Sequence, residues 1–384
     1  MAIFHKEKVD IMLDKKRDTI KLENDEELNQ LEYSGDSPLF ETVHVTKKDF
    51  SIYELYRKFN KKQLILDVDF QRSELWKNKQ KCELIESILM GLPLPIFYLK
   101  QMDNATYVVV DGKQRLSTLF EFLNNKFTLK SLKILDFLNG KKFEDLTDDL
   151  AVYQSQIEDY QLYSHIILPP TPDKILFDIF DRVNRGGTQL NKQEIRNALY
   201  HGNGLEMIKK ITKSDIFVDV THINPQSDTR MKGSYLITRF LAYYMYFRGE
   251  FGKYEYKGDI DELIEMALEK LNKEDLNTLK ERKSRILKYL EVAKNIFGNG
   301  AFRKELNSSK PINMNIFETS LYFVYLLEKS EREIEYDRVS FKFKQVITSE
   351  EYLEYIGNSR DNPIKVNGRF AMIEKLYREI KNDK

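Results

Sequence analysis

Residues 107–119, Tyr-Val-Val-Val-Asp-Gly-Lys-Gln-Arg-Leu-Ser-Thr-Leu, constrain the fold of this 384-residue chain more than any other stretch. Tyr107, Val108, Val109 and Val110 are aromatic or β-branched and predict a short buried strand. Leu116, Leu119, Phe120 and Leu123 follow at the i, i+3, i+4, i+7 spacing of an amphipathic helix. A chain that passes from strand to helix at a glycine leaves backbone N–H groups pointing out of the helix start, with the positive end of the helix dipole behind them. Such a start suits a phosphate. Gly112 permits close backbone approach, Lys113 and Arg115 supply positive charge, and Ser117 or Thr118 can add hydroxyls. Asp111, at the carboxyl end of the strand, suits a magnesium ion or a ribose hydroxyl. The plainer reading is a tight turn whose polar residues are merely hydrated.

Composition sets the frame around this stretch. Hydrophobic residues make up 41% of the chain and aromatic residues 12%, which implies a packed globule, long enough for two or three domains. Lys plus Arg and Asp plus Glu each total 61, so no overall field draws the chain to DNA. Charge is local instead: residues 23–41 carry seven acids and no base, whereas 278–310 carry nine Lys or Arg against three Glu. The single cysteine, Cys82, sits beside Leu84 and Ile85 and reads as a buried filler in a reducing cytoplasm. The first residues lack the apolar run of a secretory signal, and no stretch of about 18 apolar residues predicts a membrane span.

Along the chain, residues 1–40 read as a charged arm. Ser51 and Glu54 form a capping box before a helix carrying Tyr53, Leu55, Tyr56 and Phe59. A strand is expected over 64–68, then a helix with Leu84, Ile85, Ile88 and Leu89 on one face, stopped by Gly91, Pro93 and Pro95. Residues 96–99 and 106–110 predict a hairpin, and 160–168 another strand after a less legible helical region at 130–155. Thr171 and Pro172 open a predicted helix that ends near Asn184. Asn191 and Glu194 cap the next. From 204 onward the pattern is helical, over 205–211, 235–247, 260–271, 276–297, 316–327, 352–356 and 370–380. The class is therefore α+β, a mixed front followed by an all-helical back, with the boundary between 200 and 230.

Other polar clusters bear on function. Gln71 and Arg72 follow a predicted strand, and Arg72 suits bidentate contact with a phosphate or with Asp111. Asn184, Arg185, Gly186 and Gly187 join two helices, either as a glycine C-cap or as a polar loop closing over an anion. Asn191, Glu194 and Arg196 read as a cap and an exposed helical face. Lys280, Arg282, Lys283 and Arg285 cover more than one helix face, as a solvated surface or as a salt-sensitive contact to nucleic acid. The five histidines, His5, His44, His165, His201 and His222, are not at metal-ligand spacing.

Three ordered segments resemble the GmrSD-type restriction endonuclease N-terminal domain family. Asp111-Gly112-Lys113-Gln114-Arg115-Leu116-Ser117-Thr118-Leu119 is similar to its DGQQR-L-T-T-L signature. Phe70-Gln71-Arg72 with Trp76 is similar to its QR…W box, and residues 180–198 to a box ending in Glu-Ile-Arg, here Glu194-Ile195-Arg196. The resemblance implies a ParB/sulfiredoxin-like fold over 41–203, with a helical domain over 204–384. It also implies binding and hydrolysis of a nucleoside triphosphate with magnesium, in bacterial defence against phage or modified DNA. Asp111, Gln114 and Arg115 would then be catalytic. Gln71, Arg72, Gly112, Lys113, Ser117, Thr118 and Asn184, Arg185, Gly186 and Gly187 would bind nucleotide. Lys113 departs from the motif's first glutamine, and the histidines of the HNH nuclease often fused behind this module are missing. DNA cutting would then fall to a nuclease or toxin partner, and self-association is compatible with this reading. The alternatives are a non-catalytic regulator that binds nucleotide or nucleic acid, and, less favoured, a self-sufficient DNA endonuclease.

Overall fold

The computed structural model describes residues 22–23, 44–66, 76–102, 105–169, 171, 191–228, 230–329 and 335–382. The expected arm apart from 22–23, the Gln71–Arg72 pair, the predicted helix after Thr171 and the Asn184, Arg185, Gly186 and Gly187 loop lie outside the described residues. Contacts divide the chain into two units, one within Gln30–Leu199 and one comprising Tyr200–Lys384 with the dipeptide strand β1 (Leu22–Glu23).

The front unit is built on a five-stranded mixed sheet. In chain order its elements are β2 (Val45–Ser51), α1 (Ile52–Asn60), β3 (Leu64–Ile65), α2 (Asn78–Leu89), β4 (Phe97–Gln101), β5 (Tyr107–Asp111), α3 (Lys113–Leu123), α4 (Ala151–Asp159), β6 (Gln161–Ile167) and α5 (Lys192–Leu199). The strands lie in the order β2-β6-β4-β5-β3. β4 pairs antiparallel with β5, as the hairpin predicted, and parallel with β6. Alternation along the strands turns Phe50, Phe97, Leu99, Val109, Leu162 and Ile166 into one core with Ile85, Ile88, Leu116 and Phe122 of the helices, and Trp76 packs against it. Val108 and Val110, of the opposite alternation, are buried too, and α5 lies against β5.

Two local devices shape this unit. Ser51 Oγ accepts the Glu54 N–H at 3.0 Å, so the predicted cap starts α1. Glu86 of α2 is buried, and its Oε1 accepts the N–H groups of Lys133, Ile134 and Leu135 at 3.0, 2.9 and 3.0 Å. Burial alone would raise its pKa, but these donors outweigh it and hold the carboxyl below the usual range. Residues 130–150 thus fold as turns around a carboxylate and include three 3₁₀ segments, which is why no helical period is legible there. Cys82 is buried, as its neighbours predicted.

The second unit is helical: α6 (Asn203–Thr212), α7 (Asp215–Thr221), α8 (Lys232–Phe247), α9 (Ile260–Lys273), α10 (Leu276–Phe297), β7 (Ile312–Asn313), α11 (Met314–Lys329), α12 (Tyr336–Ile347), α13 (Glu350–Tyr355) and α14 (Pro363–Asn382). Every helix expected there is present. The sequence reading missed α7, too short to show a period, and α12. In α12, Val339, Phe341 and Phe343 alternate like a strand, yet Val339, Phe343 and Ile347 form the buried stripe while Phe341 is exposed. β1 pairs in parallel with β7, and Glu23 is held by Lys304 at 2.5 Å and by Asn313 at 3.0 Å.

Among the described residues no helix is long and apolar enough to cross a membrane.

Candidate functional site

The corner between β5 and α3 is set by a slip in strand register. Tyr98 pairs with Asp111 but Leu99 pairs with Val109, so Val110 has no opposite number. A bulge of this kind re-aims the residue beside it, and here it places Asp111 in the cross-strand row of Tyr98 at the end of the sheet. Gly112 then takes φ +97°, a left-handed conformation that costs a side-chain-bearing residue energy. Space enforces the same choice: a Cβ there would lie 2.6 Å from Cε1 of the buried Phe97. α3 begins at the next residue with no side-chain cap.

Arg115 braces this corner from within. Its guanidinium donates to Asp111 Oδ2 at 2.9 Å, to the Ile96 carbonyl at 3.3 Å and to the Pro95 carbonyl, and it stacks 4.2 Å from the centre of the Phe97 ring. Burial pulls its pKa below the ordinary arginine value, against the supporting charge of Asp111. The Arg115 side chain is 12% exposed and the Asp111 side chain 27%, so Asp111 is the more reachable of the two. Among the described residues no donor reaches Asp111 Oδ1. Gln114 is exposed, Ser117 half-buried and Thr118 buried in the inner face of α3. The Lys113 Nζ is screened from solvent. The structure therefore gathers Asp111, Gly112, Lys113, Gln114 and Arg115 at one helix start, with Thr118 turned to the core.

At this start the first-turn N–H groups of α3 have no side-chain cap, the Gln114 side chain is exposed and the Asp111 carboxylate is partly exposed. Among the described residues no group of three or more His, Cys, Asp or Glu side chains gathers to hold a metal. Asp111 would share any magnesium ion with phosphate oxygens and water, as that ion prefers.

The comparison with protein families decides the relationship that the motifs suggested. The model of the GmrSD restriction endonuclease N-terminal domain matches residues 52–201. These residues belong to the GmrSD N-terminal domain family. Neither curated proteins nor solved structures give a match. The family associates residues 52–201 with a restriction system, and the match ends close to the end of the front unit at Leu199.

Within the GmrSD domain, α5 overturns one expectation. Asn191 and Glu194 do cap it reciprocally, the Asn191 N–H on Glu194 Oε2 at 2.6 Å and the Glu194 N–H on Asn191 Oδ1 at 2.9 Å. The face is not exposed, however: Gln193, Glu194, Arg196 and Asn197 are all buried. A polar helix read as solvated is in fact interior. Polarity is normally the sign of a surface, so no periodicity signal marks it; only the Glu-Ile-Arg box does.

Beyond the GmrSD domain, the basic helix α10 needs a similar correction. Arg282 does not belong with Lys280, Lys283 and Arg285 as a nucleic-acid contact. It is buried and forked between Glu274, at 2.6 and 3.1 Å, and Glu250, at 3.0 and 3.3 Å. Lys280 and Arg285 are exposed and Lys283 is half-buried.

Proposed function

We propose that the GmrSD domain binds a nucleoside triphosphate with magnesium at residues 111–115, and that nucleotide state controls a nuclease or toxin partner, or a hold on DNA, within a restriction system in the cytoplasm. The observation that carries this reading is the uncapped start of α3 at Gly112, with a reachable oxygen of Asp111 beside it. The N–H groups of Lys113, Gln114 and Arg115 would bind phosphate oxygens, with the Lys113 charge close behind them. Asp111 would hold magnesium, which when bound offsets phosphate charge. Gln114 would orient a water for attack on the terminal phosphoryl group, releasing inorganic phosphate. Arg115 acts as a positioning residue through Asp111 and the two carbonyls rather than as a phosphate ligand.

One observation favours a second reading, a switch that binds nucleotide without turnover. Charge developing on a transferring phosphoryl group is met mainly by cations aimed at it. The arginine of this motif is instead engaged within the corner. Incubating the purified chain with ATP, GTP, CTP or UTP and magnesium separates the two. Phosphate release that is lost in Gln114→Ala supports hydrolysis; a rise in melting temperature without release supports the switch. Neither effect with any nucleotide would end both readings. The same samples, run with plasmid DNA, dispose of a self-sufficient endonuclease if the plasmid stays uncut.

A further inference from the structure

Beside the corner, the sheet face that carries Tyr98 and Asp111 has an aromatic surface without a role so far. Strand register runs Asp111, Tyr98, His165, Lys47 in one row across β5, β4, β6 and β2. The Tyr98 and His165 rings meet edge to face at 5.3 Å, and both side chains are half-buried. One step toward the corner, Phe97 pairs with Ser164 where the β4–β6 register begins, and Ile96 and Tyr163 are the residues that precede this pair in the chain. Both are exposed, Ile96 at 41% and Tyr163 at 55%, although one is aliphatic and the other a large aromatic. The Ile96 carbonyl accepts from Arg115, which ties this pair directly to the helix start. Neighbouring strands are about 4.8 Å apart, so β6, which carries Tyr163, runs roughly 10 Å from β5, across β4.

We propose that Ile96 and Tyr163, backed by the Tyr98–His165 pair, form the seat for the base of the nucleotide whose phosphates lie at the start of α3. This rests on the phosphate reading above and adds to it a place for the heterocycle. An aromatic side chain offers a flat apolar surface to any base, and alanine substitution of such a ring weakens nucleotide-type ligands by roughly 5- to 100-fold. Stacking reads the face of a base and not its edge, so the seat holds purines and pyrimidines alike, with purines favoured by their larger stacking area.

Calorimetric titration of the full chain with magnesium tripolyphosphate and with ATP, GTP, CTP and UTP tests the seat. The nucleotides are expected to bind at least about tenfold more tightly than tripolyphosphate. Tyr163→Ala should remove most of that surplus while leaving tripolyphosphate affinity unchanged, and Tyr163→Phe should keep it. If tripolyphosphate binds but Tyr163→Ala leaves nucleotide affinity untouched, the seat is wrong and the phosphate corner stands. If tripolyphosphate and every nucleotide fail to bind the unmodified chain, the corner falls and the seat with it.

Discussion

Two arginine–carboxylate clusters in this molecule use the same chemistry to opposite ends. In the helical unit, Arg239 donates to Glu318 at 2.6 Å and to both oxygens of Asp361 at 2.7 and 3.1 Å, while Arg369 reaches Glu318 at 3.2 Å and the Arg360 carbonyl. Tyr243 and Tyr256 complete the shell around Asp361, on a side-chain oxygen and on the carbonyl, each at 2.8 Å. Arg239, Arg369 and Glu318 are at most 1% exposed, and the buried Arg360 adds a third positive charge near Asp361. Burial raises the Asp361 pKa, but the adjacent Arg239 and Arg369 overcome it and hold the carboxyl far below the usual range. The front cluster, Arg115 with Asp111, has one pair, a reachable carboxylate and an uncapped helix start beside it. A closed network fixes helices α8, α11 and α14 against one another. The open one leaves the Asp111 carboxylate partly exposed.

The largest effect should come from opening the closed cluster. Arg239→Ala leaves Glu318 and Asp361 buried without their main partner, and a loss of about 3–5 kcal/mol is expected in urea unfolding followed by circular dichroism. A near-neutral result would mean that the cluster does not hold the helical unit together. Next in size is Gly112→Ala, which combines a left-handed alanine with overlap against Phe97, for a cost of about 2–4 kcal/mol. A melting temperature equal to that of the unmodified chain would remove the geometric basis of the corner.

Glu86 gives a smaller, pH-dependent effect. Its folded pKa lies below the unfolded value of about 4.3, so its contribution is fully present above that pH and is lost as pH falls through the folded value. Glu86→Gln should cost about 1–3 kcal/mol at pH 7 and progressively less toward pH 3, read from unfolding curves at each pH. A constant difference across that range would contradict the carboxylate-and-amide account. The smallest effect is expected at β1. Glu23→Ala removes a half-exposed ion pair and one side-chain hydrogen bond, so stability should change by less than about 1 kcal/mol. A larger loss in urea unfolding would show that the dipeptide strand carries more of the helical unit's stability than its exposure implies.

Much of both regions was legible in the sequence, for different reasons. The strand–glycine–helix order at 107–119 combines three local signals that agree, and local signals survive folding. The long helices of the back unit have apolar stripes that repeat over several turns. Strand β2 was not legible because it lies at the sheet edge: Val45, Thr46, Lys47, Lys48 and Asp49 are all exposed, leaving no alternation to read. The closed cluster was hidden because Arg239, Glu318, Asp361 and Arg369 meet across more than a hundred residues of chain, and each alone looks like surface charge. Arg282 misled for the same reason, since a basic run gives no hint of which member turns inward. The role of Arg115 was half legible: its charge was evident, but its direction depends on the Pro95 and Ile96 carbonyls, which only the fold brings near.

The central claim is that the backbone at the start of α3 receives phosphate. Isotope-labelled protein titrated with magnesium tripolyphosphate tests it through the amide signals of Lys113, Gln114 and Arg115. The account predicts saturable shifts largest at these three amides, with the amides of α10 unmoved. Shifts confined to α10, or no saturable shift at residues 113–115, would contradict it.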